Sequence, residues 1–152
     1  MLIHSASQLL TLAGGPQRGH ALGTLGIIEN GAVVVRDEKI VAVGTTDQLR
    51  NAYPDEPTLD ASRCVLMPGF VDPHTHLIWA GDRANEFEMK MGGMAYLDIL
   101  AAGGGIISTV KATRTASMEM LIAQTRPRIL KMFAHGTTTA EAKTGYGLKT
   151  ST

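Results

Sequence analysis

Cysteine is almost missing from this sequence: Cys64 stands alone among 152 residues, so no internal disulfide can form. A single thiol is compatible with a reducing cytoplasm, which is the expected location. Neither sign of charge dominates, with 14 Lys and Arg against 14 Asp and Glu. A nucleic acid or an anionic membrane calls for a basic patch, so neither is expected as a partner. No apolar run reaches the roughly 20 residues of a bilayer-spanning helix. The opening residues lack a cationic segment followed by an apolar core, so no secretory signal is expected. Length is short too, because a closed (β/α)₈ barrel takes about 250 residues and at least about 200.

What is present is a globular composition, 44% apolar and 18% charged. Its most informative stretch is Met67 to Arg83, in which the apolar run Val65–Val71 leads into His74 and His76. On a strand, side chains alternate between faces. The two imidazoles then leave the same side, with Thr75 on the other, and can hold one metal ion. Neutral imidazole suits zinc, iron, nickel or copper, so spacing alone selects none of them. The bare triplet also reads as two polar residues at a strand end. Pro68-Gly69 punctuates the chain before the strand, and Pro73, which lacks an N–H, is expected to stop its pairing.

Before this stretch the chain reads as short strands and turns. A strand is expected at Met1–Ala6, a second apolar patch at Leu9–Leu12, a Gly-rich loop at 19–26 with His20 on the surface, and a turn at Asn30-Gly31. Ala32–Val35 and Lys39–Val43 form a hairpin through Arg36-Asp37-Glu38, and Thr45 or Thr46 caps a short helix from Asp47. Leu59–Met67 is extended. Beyond the histidines, Ala95–Ala102 has helical spacing, while Gly92-Gly93 and Gly103-Gly104-Gly105 break the chain. No Gly-Lys-Ser/Thr follows the glycine triplet, which argues against a phosphate loop. Ser117 opens the best helix, running to Ala134 with Pro127 as a kink or a division, and Gly136 suits its left-handed end. His135 reads as a helix-end residue. Thr137–Lys143 is a second strand, so residues 70–143 spell strand, helix, strand, the unit of parallel sheets.

The residues Pro68-Gly-Phe-Val-Asp-Pro-His-Thr-His76 resemble the first barrel strand of the amidohydrolase superfamily. Ala80-Gly-Asp-Arg83, Glu86-Phe87, Gly103-Gly-Gly-Ile106 and Glu141-Ala-Lys-Thr-Gly-Tyr-Gly-Leu148 are similar to the imidazolonepropionase family in particular. The resemblance implies an α/β fold: residues 1–66 as part of a small β-sandwich, then residues 67–152 as the start of a (β/α)₈ TIM-type barrel. On that reading the chain is an amino-terminal portion that stops at 150–152, just after the second strand. Alone it would be inactive, with open sheet edges that invite aggregation.

The implied reaction is hydrolysis of the cyclic amide of 4-imidazolone-5-propanoate to N-formimino-L-glutamate, with one zinc or iron ion. Metal coordination brings the pKa of water from about 15.7 to about 7. His74 and His76 are the expected metal ligands. The remaining ligands and the acid/base groups are expected from later strands, and no catalytic acid or base is identified in this chain. Arg83 is the expected partner of the substrate carboxylate, which a guanidinium binds bidentately. The other reading of Arg83 is a surface arginine paired with Asp82, Glu86 or Glu88. Tyr146, between two glycines, matches the family's substrate-binding tyrosine, and Tyr96 lines the pocket or packs as core. Glu141 is read as structural, Lys143 receives no metal-bridging role, and Trp79 and Phe87 are read as packing. Homo-oligomerisation of the full-length form stays open. So do a deaminase or another cyclic amidase of the same superfamily and, from a different class, a non-catalytic binding module with incidental histidines.

Overall fold

Asp37 and Glu38 both adopt positive φ, 48° and 62°, which closes a tight two-residue turn. The turn joins β2 (Ile27–Arg36) to β3 (Lys39–Thr45) in antiparallel register, Val33 opposite Val43 and Arg36 opposite Lys39. The computed structural model of the chain describes residues 1–150; the stop expected at 150–152 falls mostly on 151–152, outside the described residues. The chain divides into two compact units, Met1–Pro68 and Gly69–Thr152.

In the first unit, β1 (Leu2–Leu10) is the central strand. It pairs antiparallel with β2 and parallel with β4 (Thr58–Asp60) and β5 (Val65–Leu66). Leu2, Ala32 and Val34 are fully buried between this sheet and α1 (Thr46–Ala52), whose Leu49 completes the cluster. A capping box starts α1: the Thr45 hydroxyl accepts the Gln48 N–H, and the Gln48 side chain returns to the Thr45 N–H.

The strand expected at 1–6 continues into the apolar patch at 9–12 as far as Leu10, with a bulge on the way. Ser5 has φ 61° and the register shifts between Ile3 and Ala6. Asn30-Gly31, expected as a turn, lies inside β2, with Asn30 at φ 49°. The buried Thr46 hydroxyl reconciles the two irregularities. It accepts the Ser5 N–H at 2.8 Å and donates to the Asn30 carbonyl at 2.9 Å.

The second unit is a parallel strand pair with helices between. β6 (Phe70–Thr75) pairs with β7 (Thr137–Ala142), and α2 (Ala84–Met91), α3 (Tyr96–Ala101), α4 (Ile106–Thr115) and α5 (Met118–Ala134) lie between them in sequence. Ser117 caps α5 by accepting the Met120 N–H. Pro127 leaves α5 as one continuous helix, and Gly136 closes it at φ 91°. Helix α4 is not evident from its Thr-rich sequence. It forms because Thr109, Val110 and Thr113 are buried along one side, and the Thr113 hydroxyl accepts the Ala80 N–H. No described helix is long and apolar enough to cross a membrane.

Thr46→Val keeps the shape of the side chain but strands the Ser5 N–H and the Asn30 carbonyl. A loss of about 1–3 kcal/mol is expected in urea unfolding. Ile40→Ala, at an exposed sheet position, should change stability by less than about 0.5 kcal/mol.

Candidate active site

The carboxyl end of β6 carries the two histidines. Phe70, Val71 and Asp72 pair with Thr137, Thr139 and Ala140 of β7, and Thr75 pairs with Ala142. The expectation that Pro73 ends the pairing is therefore corrected. Pro73 has no N–H to donate and the His74 N–H turns to Asp72 Oδ1 at 3.1 Å, yet the ladder resumes one residue later. Thr75 fastens it, with its carbonyl accepting the Lys143 N–H at 2.9 Å and its hydroxyl donating to the Glu141 carbonyl at 2.5 Å. His74 and His76 flank this fixed residue, their ring centroids 5.8 Å apart and nearly perpendicular.

Tyr146 closes over the second histidine, its ring 5.4 Å from that of His76. The chain runs close beside His76 here: a Cβ at Gly145 would stand 3.4 Å from His76 Nδ1 and 3.4 Å from the Ile78 carbonyl oxygen, ordinary van der Waals contact. Arg114 of α4 holds the segment from its other side, donating from Nε to the Gly147 carbonyl at 2.6 Å. Tyr146 also lines a cleft of about 740 Å³ with Ile78, Thr113 and Leu121. His76 Nδ1 is buried without a hydrogen-bond partner among the described residues. Such orphan nitrogens are rare and call for an explanation, of which a bound ion is one. Among the described residues no group of three or more His, Cys, Asp or Glu side chains forms a metal cluster, so the pair stands by itself.

Arg83 sits at the start of α2, where Asp82 Oδ1 accepts the Ala84 N–H. Of the three acidic neighbours, Glu86 pairs with it: Nε at 2.9 Å and Nη2 at 2.5 Å both meet Glu86 Oε2. The other carboxylate oxygen, Oε1, accepts the Gly105 N–H at 2.8 Å. The bonds from Arg83 hold the Glu86 carboxyl below its usual range; burial opposes the shift and the Gly105 N–H adds to it. The Glu86 bond likewise raises Arg83 against desolvation, with smaller contributions from the charges of Glu86, Tyr96 and Tyr146. Tyr96, on α3, is exposed. Arg83 and Glu86 line a second cleft of about 180 Å³ with Met89, Ile99 and Gly104.

Glu86 is the residue whose part was missed in the sequence. Its spacing of three from Arg83 is a helical pairing signal, but its second bond, to Gly105, crosses 19 positions. Lys143 Nζ is bonded to Glu141 at 2.8 Å. Trp79 lies 3.6 Å beneath the Arg128 guanidinium, whose Nη1 also donates to the Trp79 carbonyl.

Residues 31–55 match a family model described as an imidazolonepropionase-like composite domain of bacteria. Imidazolonepropionases from Herpetosiphon aurantiacus and Chloroflexus aggregans are 50% and 48% identical over 151 residues. One from Symbiobacterium thermophilum is 47% identical. These matches cover 97–99% of this chain and 35–36% of the relatives, so the chain spans about a third of their length. Two solved deaminases share the fold. E. coli guanine deaminase has a TM-score of 0.61 at 19% identity, over 93% of this chain and 30% of its own. Helicobacter pylori aminofutalosine deaminase, solved with methylthio-coformycin, has a TM-score of 0.57 at 21% identity, over 93% and 29%. Over nearly its whole length the chain is similar to the amino-terminal third of these imidazolonepropionases.

Proposed function

We propose that this chain is the amino-terminal portion of a metal-dependent hydrolase that opens the ring of 4-imidazolone-5-propanoate to give N-formimino-L-glutamate. In this reading β6 and β7 are the first two strands of a (β/α)₈ barrel, and Met1–Pro68 contributes part of a small β-sandwich. The observation that carries the proposal is the imidazole pair at the end of a parallel strand, with His76 Nδ1 buried and unpartnered. That donor set fits one zinc or iron ion, which uses neutral imidazoles and here needs further ligands from beyond this chain.

When bound, the ion supplies a water made acidic enough to attack at neutral pH and polarises the amide carbonyl. The chain's own residues do the rest of what this portion can do. His74 and His76 hold the ion on one side of the strand end. Arg83 receives the propanoate carboxylate, with fixed geometry from its planar fork. Tyr146, its ring 5.4 Å from that of His76, offers its phenol to the ring.

Two measurements on the full-length enzyme test this. Chelation should abolish ring opening and zinc or iron should restore it, and His74→Ala or His76→Ala should cost on the order of a thousandfold in kcat with loss of bound metal. Arg83→Ala should raise KM by on the order of a hundredfold and leave kcat within a few fold, the pattern of lost ground-state binding. Unchanged KM for the carboxylate-bearing substrate would remove Arg83 from the site.

A further inference from the structure

The Arg83 side chain is 47% exposed, and an arginine so placed normally samples many rotamers. Here Glu86, only 14% exposed, takes one edge of the guanidinium, and both bonds fall on a single oxygen. The Nη1 donors keep no hydrogen bond to the described residues, so a second edge of the fork is left for a ligand carboxylate.

Glu86 is itself fixed from its far side. Oε1 accepts the Gly105 N–H at the start of α4, a helix of ten residues whose own N-cap is a glycine with no side chain to serve it. A carboxylate at that position satisfies an orphan donor and suits the positive end of the helix. The glycines are required for this reach. A Cβ at Gly104 would come 3.1 Å from the Glu86 carboxyl carbon and 2.9 Å from the Ile99 carbonyl oxygen, and Gly105 stands at φ 73°.

We infer that Glu86 is a positioning residue for substrate recognition: anchored to Gly105, it presets the free edge of Arg83 to receive the carboxylate arm of the substrate. The inference rests on Arg83 binding that carboxylate. It differs in sign from a simple charge effect. If Glu86 merely competed with the substrate for Arg83, removing its charge would tighten binding; if it preorganises the guanidinium, removal weakens binding.

The test is Glu86→Gln in the full-length, metal-loaded enzyme. Glutamine has one acceptor oxygen, so it serves Gly105 or Arg83 but not both. Steady-state kinetics compare 4-imidazolone-5-propanoate with the same ring bearing an ethyl group in place of the propanoate. KM for the propanoate should rise about 3- to 10-fold, as expected for one side chain that must be immobilised on binding. Its kcat should stay within about twofold, and the ethyl compound should be unaffected, because a group acting only through the carboxylate contributes uniform binding of that arm. Glu86→Asp keeps the charge but shortens the reach. It should show the same selective rise, and it serves as the second variant if the glutamine form is too unstable to assay. An unchanged or lowered KM, or equal losses on both compounds, overturns the inference. Arg83→Ala separates the two levels. If it removes the preference for the propanoate while Glu86→Gln does nothing, only the role of Glu86 falls. If it leaves that preference intact, the reading of Arg83 falls with it.

Discussion

The parallel pairing of β6 with β7 is the constraint on which the site depends. A parallel ladder needs a long crossover, and four helices supply it here. The ladder shifts register twice, between Phe70 and Val71 and between Asp72 and Thr75; at the second, Pro73 offers no N–H and the His74 N–H is taken up by Asp72. Had pairing ended there, the residues after Pro73 would be loop. Because Thr75 rejoins β7 through its carbonyl and hydroxyl, the residue between the two histidines is fixed to the ladder. The same ladder sets where β7 ends, and so brings Tyr146 against His76.

Around that frame, glycines set how closely groups approach and charged groups set direction. Gly104 and Gly105 let the Glu86 carboxylate reach the start of α4. Arg83, Glu86 and Gly105 then form one chain of charge-assisted bonds, which are stronger than neutral ones. Arg114 and Arg128 do similar work with backbone carbonyls, binding the segment at Gly147 and Trp79. The result is a set of polar side chains whose orientations are fixed before any ligand arrives.

Local chemistry made much of this legible in the sequence. The hairpin, the Thr45 cap, the Ser117 cap and the Gly136 terminus each follow from residues a few positions apart. What escaped depends on distant contacts. Asn30-Gly31 reads as a turn until Thr46 is seen bridging Ser5 and Asn30, and α4 is held by the distant bond between Thr113 and Ala80. Glu86 was visible as one of three acidic neighbours of Arg83, but its selection rests on a bond to Gly105 that no local pattern announces.

The central claim is that the end of β6 binds a metal beside a guanidinium that takes a carboxylate. A crystal of the full-length enzyme, with zinc or iron and a non-hydrolysable imidazole bearing a carboxylate arm, tests it most directly through anomalous scattering. The account predicts the metal peak within bonding distance of nitrogens of both His74 and His76, and the carboxylate on the free edge of Arg83. A metal bound elsewhere, or a carboxylate that makes no contact with Arg83, would contradict it.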